Sequence, residues 1–507
     1  MPTRVLEIVK RPGQNRSHLR LLETGSMEPE PYAALSYCWG GPQPVTTTND
    51  SYPRHSLIID KQALPASVRD AVLVVEKIGI RYLWIDAFCI VQDDQEDKNW
   101  EIVKMPLIYS QATVTIVASR AKGVTEGFLH DRSRMGEETA DQVFELPYRC
   151  SDNKLGSVVL LPNIQWSTEP LDLRAWPLQE RFLSPRIVEY GSLQTRWICQ
   201  TSDRSSHIDG FKDTSVYNHE RPDDLFTSAL QNILETSESA TYDNRRRETL
   251  LDQWDKMLKV YTHRTLTLGT DRLPAISGIA AQFGRALRDE YKAGLWKSAM
   301  KLQLLWQREQ SYPRKHLQPR PLEYQGPSWS WAAINEPILL ESRGVPRDNH
   351  VDVEIVDCNI VIHRASASFS VYDPSFGAVE SASLKLRGRL GRAEWMYDAS
   401  DGLADQVVLT KTNDAEQKRE LHAAVYLDAL EEEFANGSVG SIPVFLIKIV
   451  GPITKGLILR HIERSEFSRL GVFLFNNLTG LDEKRNVIIR KQIKWLDNSP
   501  LETITLI

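Results

Sequence analysis

The sequence contains little cysteine and has no long apolar run. Its 507 residues include 5 cysteines, which is an odd number, and no two of them lie in CxxC spacing. This pattern disfavours a disulfide framework and a zinc knuckle, and it indicates a reducing, cytoplasmic setting. The most apolar later stretch, 442–459, is interrupted by lysine, glycine and proline, whereas a membrane-spanning helix needs about 20 apolar residues. We therefore expect a cytoplasmic protein with no secretory signal and no membrane span.

An excess of positive charge is also missing. Lys and Arg total 61 against 67 for Asp and Glu, a net charge of −6, so nucleic acid is not the expected partner. The 11 histidines show neither HxxxH nor HExxH spacing, and the sequence contains neither GxxxxGK[ST] nor GxGxxG. These absences predict no metal site and no phosphate-binding loop of the familiar types.

The first third of the chain alternates between the periodicities of strands and helices. Buried-type apolar runs predict strands at 32–37, 82–86 and 113–119, and apolar residues at helical spacing predict helices at 68–78 and 100–111. Such alternation predicts an α/β fold with a mainly parallel sheet covered by helices. Pro106 within the second helix predicts a kink or a later helix start.

The remainder of the chain divides into a helical part and a β-rich part. Long apolar periodicity at 245–268 and 273–305 predicts helices in a middle region, 187–345, that also contains polar loops. Alternating runs such as 351–362, 368–371 and 442–449 predict a β-rich C-terminal domain over 346–507. A chain of this length normally forms two or three domains, so residues 1–186 are expected to form the first one.

A candidate ligand site lies where two predicted strands end. Ligands of open parallel sheets bind beyond the carboxyl ends of the strands. Ser36, Tyr37, Trp39 and Gly40 follow the first strand, and Asp86 closes the next one. We therefore predict these five residues to be substrate-binding, with hydroxyl groups, an indole face and a carboxylate facing a small molecule. The alternative is that Tyr37 and Trp39 are ordinary core residues.

Glu101 is the candidate catalytic residue. It lies near the predicted start of a helix whose apolar face includes Met105, Ile108 and Tyr109. A carboxylate at that position can point back over the edge of the sheet. The alternative is an acid that merely interacts favourably with the helix dipole.

Glu180 lies between Gln179 and Arg181 on a predicted helix at 177–182. Neighbours in a helix point in different directions. The sequence therefore predicts that Glu180 and Arg181 form separate structural salt bridges.

Several motifs in a fixed order resemble the heterokaryon incompatibility (HET) domain of filamentous fungi. They are YAALSYCWG at 32–40, LPASVRDAV at 64–72, RYLWIDAFCIVQDD at 81–94, TIVAS at 115–119 and RAWPLQERFLSPR at 174–186. The resemblance covers 32–186. It implies an effector of cell death or growth arrest in nonself recognition between fungal individuals.

The same region is distantly similar to TIR domains in its order of elements. The strand ending in Ser36-Tyr37, the acidic loop, and Asp97 with Glu101 at a helix start match the TIR pattern, although Lys98 stands where tryptophan is expected. The resemblance implies a flavodoxin-like parallel sheet. Some TIR domains hydrolyse NAD through one glutamate in that helix, so the resemblance implies Glu101 as that glutamate and NAD as a substrate rather than a bound cofactor.

The sequence leaves two functional classes open. The first is an enzyme that acts on NAD or a related nucleotide and is activated by self-assembly, with a separate sensor protein as a further partner. The second is a non-enzymatic signalling module that triggers cell death through protein contacts. Glu101 is the residue whose role separates the two classes.

Overall fold

The structure is a computed structural model that divides the chain into two compact units, Met1–Tyr217 and Asn218–Ile507. The predicted strand at 368–371 lies outside the described residues. The structure describes residues 1–10, 17–25, 27–131, 144–149, 153–160, 168–192, 194–199, 206–207, 229, 233, 244–309, 317–340, 351–362, 376–397, 406–411, 419–430, 440–450, 454–475 and 494–507.

The first unit contains an eight-stranded sheet in the order β10-β9-β8-β5-β3-β4-β1-β2. Its strands are β1 (Arg4–Lys10), β2 (Ser17–Glu23), β3 (Tyr32–Ser36), β4 (Tyr82–Trp84), β5 (Val114–Val117), β8 (Arg186–Tyr190), β9 (Thr195–Cys199) and β10 (Ser206–His207). A separate antiparallel hairpin pairs β6 (Phe144–Arg149) with β7 (Leu155–Leu160).

The sheet is mixed, so the prediction of a mainly parallel sheet is correct only for its centre. Strands β4, β3, β5 and β8 are parallel, and antiparallel strands extend the sheet at both edges. Strands at the edges are antiparallel because a short turn between consecutive strands reverses the direction of the chain. At one of them, the Gly191 N–H donates to the Gln194 carbonyl at 3.1 Å between β8 and β9.

The central strands are short and fully buried. Every residue of β3, β4 and β5 is buried, as expected for parallel strands that are covered on both faces. Ala33 on β3 lies opposite Leu83 on β4 and Val114 on β5. The three strands therefore end at the same edge of the sheet, which brings together the loops that follow them.

The helices of the first unit are α1 (Tyr52–Leu57), α2 (Ala66–Ile78), α3 (Asp86–Cys89), α4 (Gln95–Gln111) and α5 (Trp176–Leu183), with 3₁₀ turns at Lys61–Ala63 and Pro170–Leu173. Helix α2 confirms its prediction and ends at Gly79, whose φ of 80° is left-handed. Strand β4 ends earlier than predicted, because the chain turns into α3 at Asp86.

Helix α4 begins at Gln95 rather than near residue 100, and it continues through Pro106. The earlier start has a local cause. The Asp94 side chain accepts from the backbone N–H groups of Glu96 at 2.9 Å and Asp97 at 3.1 Å, which satisfies donors that the first turn leaves open. Glu101 therefore lies in the second turn of the helix and not at its start.

The second unit begins with helical segments and small hairpins. The helices are α6 (Asn244–Thr262), α7 (Ser277–Leu287) and α8 (Met300–Gln303), with 3₁₀ turns at Gly269–Arg272, Pro274–Ile276 and Trp331–Ala333. Strand β11 (Tyr291–Lys292) pairs with β12 (Leu295–Trp296), and β13 (Gln307–Arg308) pairs with β14 (Ile338–Leu339).

The segment 273–305, where periodicity predicts helices, is helical only in part, in α7 and α8. The chain reverses at Ala293 and Gly294, which have φ values of 46° and 101°. The Trp331 indole N–H donates to the Gly294 carbonyl at 2.8 Å. A contact from a distant part of the chain therefore stabilises a turn that apolar periodicity alone does not reveal.

The β-rich part confirms the coarse prediction for the end of the chain. Its strands are β15 (Glu354–Ile362), β16 (Val379–Tyr397), β17 (Gln406–Lys411), β18 (Arg419–Leu427), β19 (Gly440–Val450), β20 (Lys455–His461), β21 (Glu466–Leu474) and β22 (Leu501–Leu506). They run in the order β15-β16-β17-β18-β21-β20-β19, and β16 also pairs with β19. That pairing closes the path of strands around a core that includes Trp395, Leu446 and Phe473.

Within the part of the chain that the structure describes, no helix combines the length and the apolar character needed to cross a bilayer.

Candidate functional site

The candidate site lies at the carboxyl ends of the central strands. Among the parallel strands, β3 comes first in the chain, and its neighbours are the next two, β4 on one side and β5 on the other. The connections that follow β3 and β5 therefore leave in opposite directions, toward β4 and toward β8, and open α/β sheets form a crevice at such a position. Ser36 ends β3, and Asp86 lies just beyond β4.

Asp86 is the centre of a hydrogen-bonded cluster. Its Oδ1 accepts from the Tyr37 hydroxyl at 3.0 Å and from the Ala87 backbone N–H at 2.6 Å. Its Oδ2 accepts from the Trp39 indole N–H at 2.8 Å. The structure thus brings together three of the predicted substrate-binding residues, Tyr37, Trp39 and Asp86.

Burial changes the acidity of this cluster. Loss of solvation raises the pKa of Asp86, and the hydrogen bonds from Trp39, Ala87 and Tyr37 oppose that increase. The pKa of Tyr37 lies well above its usual value, first because of burial and then because of the negative charge of Asp86. Tyr37 therefore remains a neutral hydrogen-bond donor at physiological pH.

A second carboxyl group, that of Glu180 on α5, faces the same end of β3. Glu180 is only 6% exposed. The Ser36 and Tyr109 hydroxyl groups face its carboxyl group and favour the charged form. The Tyr109 hydroxyl also donates to the Leu35 carbonyl at 3.0 Å. The Ser36 Oγ is itself buried and makes no hydrogen bond of ordinary geometry among the described residues, so its only described polar neighbour is the Glu180 carboxyl group.

The pKa of Glu180 is raised to about 7, mainly by burial, and the charge of Asp86 adds to the increase. An ordinary glutamate is fully ionised at neutral pH, but this one is close to half-protonated. Groups that titrate near the working pH are suited to proton transfer. The cluster thus contains a carboxyl group that can either donate or accept a proton.

Arg174 is the cation of the cluster. Burial dominates the pKa of both Asp86 and Glu180, and the positive charge of Arg174 opposes it in each case. The half-buried carboxyl group of Asp86 and the buried one of Glu180 therefore both lie near the Arg174 guanidinium group. This arrangement holds one negative charge more easily than two.

Glu180 is not recognisable as a site residue from the sequence. Its prediction of a salt bridge is correct for Arg181, whose Nη1 lies 2.7 Å from Glu189 Oε1. Glu180 instead faces Ser36 and Tyr109. The sequence places Glu180 on a helix with apolar neighbours, but it does not show which face of that helix is buried.

Glu101 is buried, but its described contacts lie apart from the Asp86 cluster. Its Oε1 accepts from the Thr3 hydroxyl at 2.7 Å and from Lys104 Nζ at 2.8 Å. Its Oε2 is buried without a hydrogen-bond partner among the described residues. Glu101 and Asp86 both act on the buried Cys89 thiol, whose pKa rises to about 12, chiefly because of burial. The two carboxylates therefore both lie near Cys89, but their described hydrogen-bond partners are different.

Asp97 has a structural environment. Its carboxylate accepts from Arg4 Nη2 at 2.6 Å and from the Val91 backbone N–H at 2.8 Å. Arg4 Nε also donates to the Cys89 carbonyl at 2.8 Å. These contacts join the start of β1 to the loop between α3 and α4.

Gly40 allows two loops to approach each other closely. Its φ is +71°, and an added Cβ would lie 2.4 Å from the Cα of Gly123. A side chain cannot be accommodated there without moving backbone. Gly40 therefore shapes the rim of the site through packing.

The remaining reactive groups favour neither metal binding nor thiol chemistry. Within the described ranges, no three His, Cys, Asp or Glu side chains are grouped so that they could hold a metal ion. Cys38 and Cys89 are free thiols, and burial raises the pKa of Cys38 to about 11. A thiol with such a pKa is a poor nucleophile at neutral pH. The chemistry of the site is therefore that of its carboxyl and hydroxyl groups.

These features define an α/β domain with buried carboxyl groups at the carboxyl edge of its central parallel strands. Residues 32–180 match the family model described as "Heterokaryon incompatibility protein (HET)". The match agrees with the resemblance that the motifs predict, and the matched span contains Asp86, Glu101 and Glu180. Comparisons with curated proteins and with solved structures find no match.

Proposed function

We propose that this chain is an effector of heterokaryon incompatibility and that its HET domain hydrolyses the nicotinamide–ribose bond of NAD. The HET match supports the first part. The observation that carries the second is the pair of carboxyl groups, the half-buried Asp86 and the buried Glu180, with the Ser36 hydroxyl facing Glu180 at the end of β3. The order β4-β3-β5-β8 of the central parallel strands supports the proposal, because it resembles part of a flavodoxin-like sheet.

The chemistry requires a carboxylate and a site for the ribose. Cleavage breaks the bond between ribose C1′ and the nicotinamide nitrogen through an oxocarbenium-like state that a nearby negative charge stabilises. Nicotinamide leaves as a neutral molecule, water attacks C1′, and the proton of that water passes to a carboxylate. In this proposal Asp86 provides the negative charge, ionised Glu180 accepts the proton, and Ser36 contacts a ribose hydroxyl.

Glu101 is the second candidate carboxylate. The TIR resemblance implies this role, and its unpartnered, buried Oε2 is available to accept a hydrogen bond from a substrate hydroxyl. Because Glu101 contacts Thr3 and Lys104, it would act from the β1 side of β4. Comparing variants of Glu101 and Glu180 identifies which carboxylate is essential.

Substrate access in this proposal depends on a rearrangement. Ser36, Asp86 and Glu180 are all buried or hydrogen-bonded within the domain. Self-assembly, induced by a separate sensor protein, would move the loop that follows β3 and admit the nucleotide. The activity is therefore expected to rise with protein concentration.

A non-enzymatic module is the rival function, and one observation favours it. Asp86 already accepts three hydrogen bonds from its own chain, and Glu101 accepts two. Buried carboxylates with such partners are often structural. In this case the HET domain would act through protein contacts alone.

Nicotinamide release from NAD by the purified full chain tests the enzymatic proposal. We expect release that increases with protein concentration, and a loss of at least about 100-fold for the variant that lacks the essential carboxylate, E180Q or E101Q. E96Q is the matched control, because Glu96 is an exposed residue in the first turn of α4. If the wild type releases no nicotinamide at any concentration, or if E180Q and E101Q both retain full activity, the proposal is wrong.

Growth of fungal cells that express the chain separates the two functions. The enzymatic proposal predicts arrest by the wild type and by E96Q, with rescue by the variant that abolishes nicotinamide release. The non-enzymatic module predicts arrest by all four proteins. Western blotting for equal amounts of each variant excludes a trivial loss of protein.

A further inference from the structure

A cavity in the second unit combines positive charge with aromatic rings. It has a volume of about 560 Å³ and lies between strands β16, β19, β20, β21 and β22. The residues that define its chemistry are Arg392, Phe445, Arg460, His461, Arg464, Phe467 and Glu502. Its volume falls in the range that suits a small organic ligand.

The floor of the cavity is a cluster of three rings. The rings of Phe445 and Phe467 are 5.2 Å apart and nearly perpendicular, and those of His461 and Phe467 have the same spacing. The Arg392 guanidinium carbon lies 5.8 Å from the centre of the Phe445 ring. Such a surface can stack against a flat ring of a ligand.

The charge of the cavity suits an anion. Three arginines line it against one acid, Glu502. The ion pairs found among the described residues do not include Arg392 or Arg464, and both side chains are exposed. Guanidinium groups bind phosphate oxygens through paired hydrogen bonds. The Glu502 carboxylate can accept a hydrogen bond from a sugar hydroxyl.

Hydrogen bonds fix the turn between β20 and β21, which carries His461 and Arg464. His461 Nε2 lies 2.9 Å from the Arg464 carbonyl oxygen, so Nε2 donates. The Ile462 N–H donates to the Glu466 carbonyl at 2.9 Å. Arg464 has a φ of 49°, a conformation that arginine rarely adopts. The turn therefore holds Arg464 in a strained conformation at the rim of the cavity, as is common at binding sites.

We infer that this cavity binds a small phosphate monoester that carries a flat ring, of the class of nucleoside monophosphates. The arginines would hold the phosphate, and the ring floor would hold the base. The inference does not rest on the proposed hydrolysis of NAD, because the cavity belongs to the other unit.

Calorimetric titration of the full chain tests this inference with four probes: AMP, adenosine, ribose 5-phosphate and inorganic phosphate. We expect AMP to bind, and each of the other three to bind at least about tenfold more weakly, since each lacks the ring or the phosphate. No binding of AMP at millimolar concentration would overturn the inference. Equal binding of AMP and adenosine, or of AMP and inorganic phosphate, would also overturn it.

Variants place the binding in this cavity. R392Q and R464Q should each weaken AMP binding about tenfold. R387Q is the matched control, because Arg387 is an exposed arginine on β16 outside the cavity. E180Q should bind AMP normally, which separates this cavity from the site in the HET domain. The inference fails if R387Q weakens binding as much as R392Q does, or if E180Q abolishes it.

Discussion

Two clusters of buried side chains, one in each unit, treat charge in opposite ways. In the second unit, the fully buried Arg469 donates to both oxygens of Asp428, at 2.9 and 3.0 Å, and to the carbonyls of Leu304 and Trp306, both at 2.6 Å. In the first unit, Asp86 and Glu180 are both acids, and burial raises the pKa of each. The pair of Arg469 and Asp428 neutralises its own charge and is structural. The two acids Asp86 and Glu180 instead compete for a proton, and such groups resemble those of reactive sites.

The largest expected effect is on the ion pair of the second unit. R469M should destabilise the chain by about 3–5 kcal/mol, because it leaves Asp428 buried with Arg320, at 3.6 Å, as its one remaining ion-pair partner among the described residues. Urea unfolding followed by tryptophan fluorescence measures the change. R387M, at an exposed position, should change stability by less than about 0.5 kcal/mol. Equal stabilities for R469M and R387M would show that the pair is not structural.

The raised pKa of Glu180 predicts that the free energy of unfolding falls as the pH rises. Because the pKa of folded Glu180, about 7, exceeds the ordinary value of 4.5, the folded chain binds this proton more tightly than the unfolded chain does. The stabilisation is complete below about pH 4.5 and is lost as the pH rises to about 7, a loss of about 3 kcal/mol. Urea unfolding at pH 5 and pH 8 should show this loss in the wild type and a smaller one in E180Q. The same loss in both proteins would refute the assignment to Glu180.

Removing the acceptor in the Asp86 cluster should have a smaller effect. D86A leaves the Tyr37 hydroxyl and the Trp39 indole N–H without their acceptor. We expect a destabilisation of about 2 kcal/mol in thermal or urea unfolding. D50A changes an exposed aspartate and should leave stability unchanged. A D86A chain as stable as D50A would mean that water satisfies both donors.

The smallest expected effect concerns the rim. G40A places a methyl group against Gly123 and forces alanine into a φ of +71°. This change should cost about 1–2 kcal/mol. Gly25 has open space around it, so G25A is the control with little expected change. The melting temperatures of the two variants report the difference, and a G40A value equal to that of G25A would mean that the two loops separate easily.

The sequence correctly predicts the strands and helices that depend on residues close together in the chain. Strand β3 and helix α2 follow from apolar periodicity, and Gly79 marks the end of α2. Helix α4 starts earlier than predicted because the Asp94 side chain caps it within an acidic segment that resembles a loop in the sequence. The turn at Gly294 depends on Trp331, which is distant in sequence.

The candidate site was predictable only in part. Tyr37, Trp39 and Asp86 were expected together because strands in a parallel sheet end at one edge, and the structure brings them together. Glu180 could not be identified, because its raised pKa depends on how α5 packs under β3. Glu101 was expected close to the loop after β3, but its contacts are with Thr3 and Lys104. That Glu101 or Glu180 is essential for activity stays a prediction.

The most direct test of the account is an infrared titration of the carboxyl groups, recorded as the difference between the wild type and E180Q. The account predicts a band of a buried, protonated carboxyl group that is present in the wild type, absent from E180Q, and lost with a midpoint of about pH 7. A midpoint below about pH 5, in the range of ordinary glutamates, would contradict it.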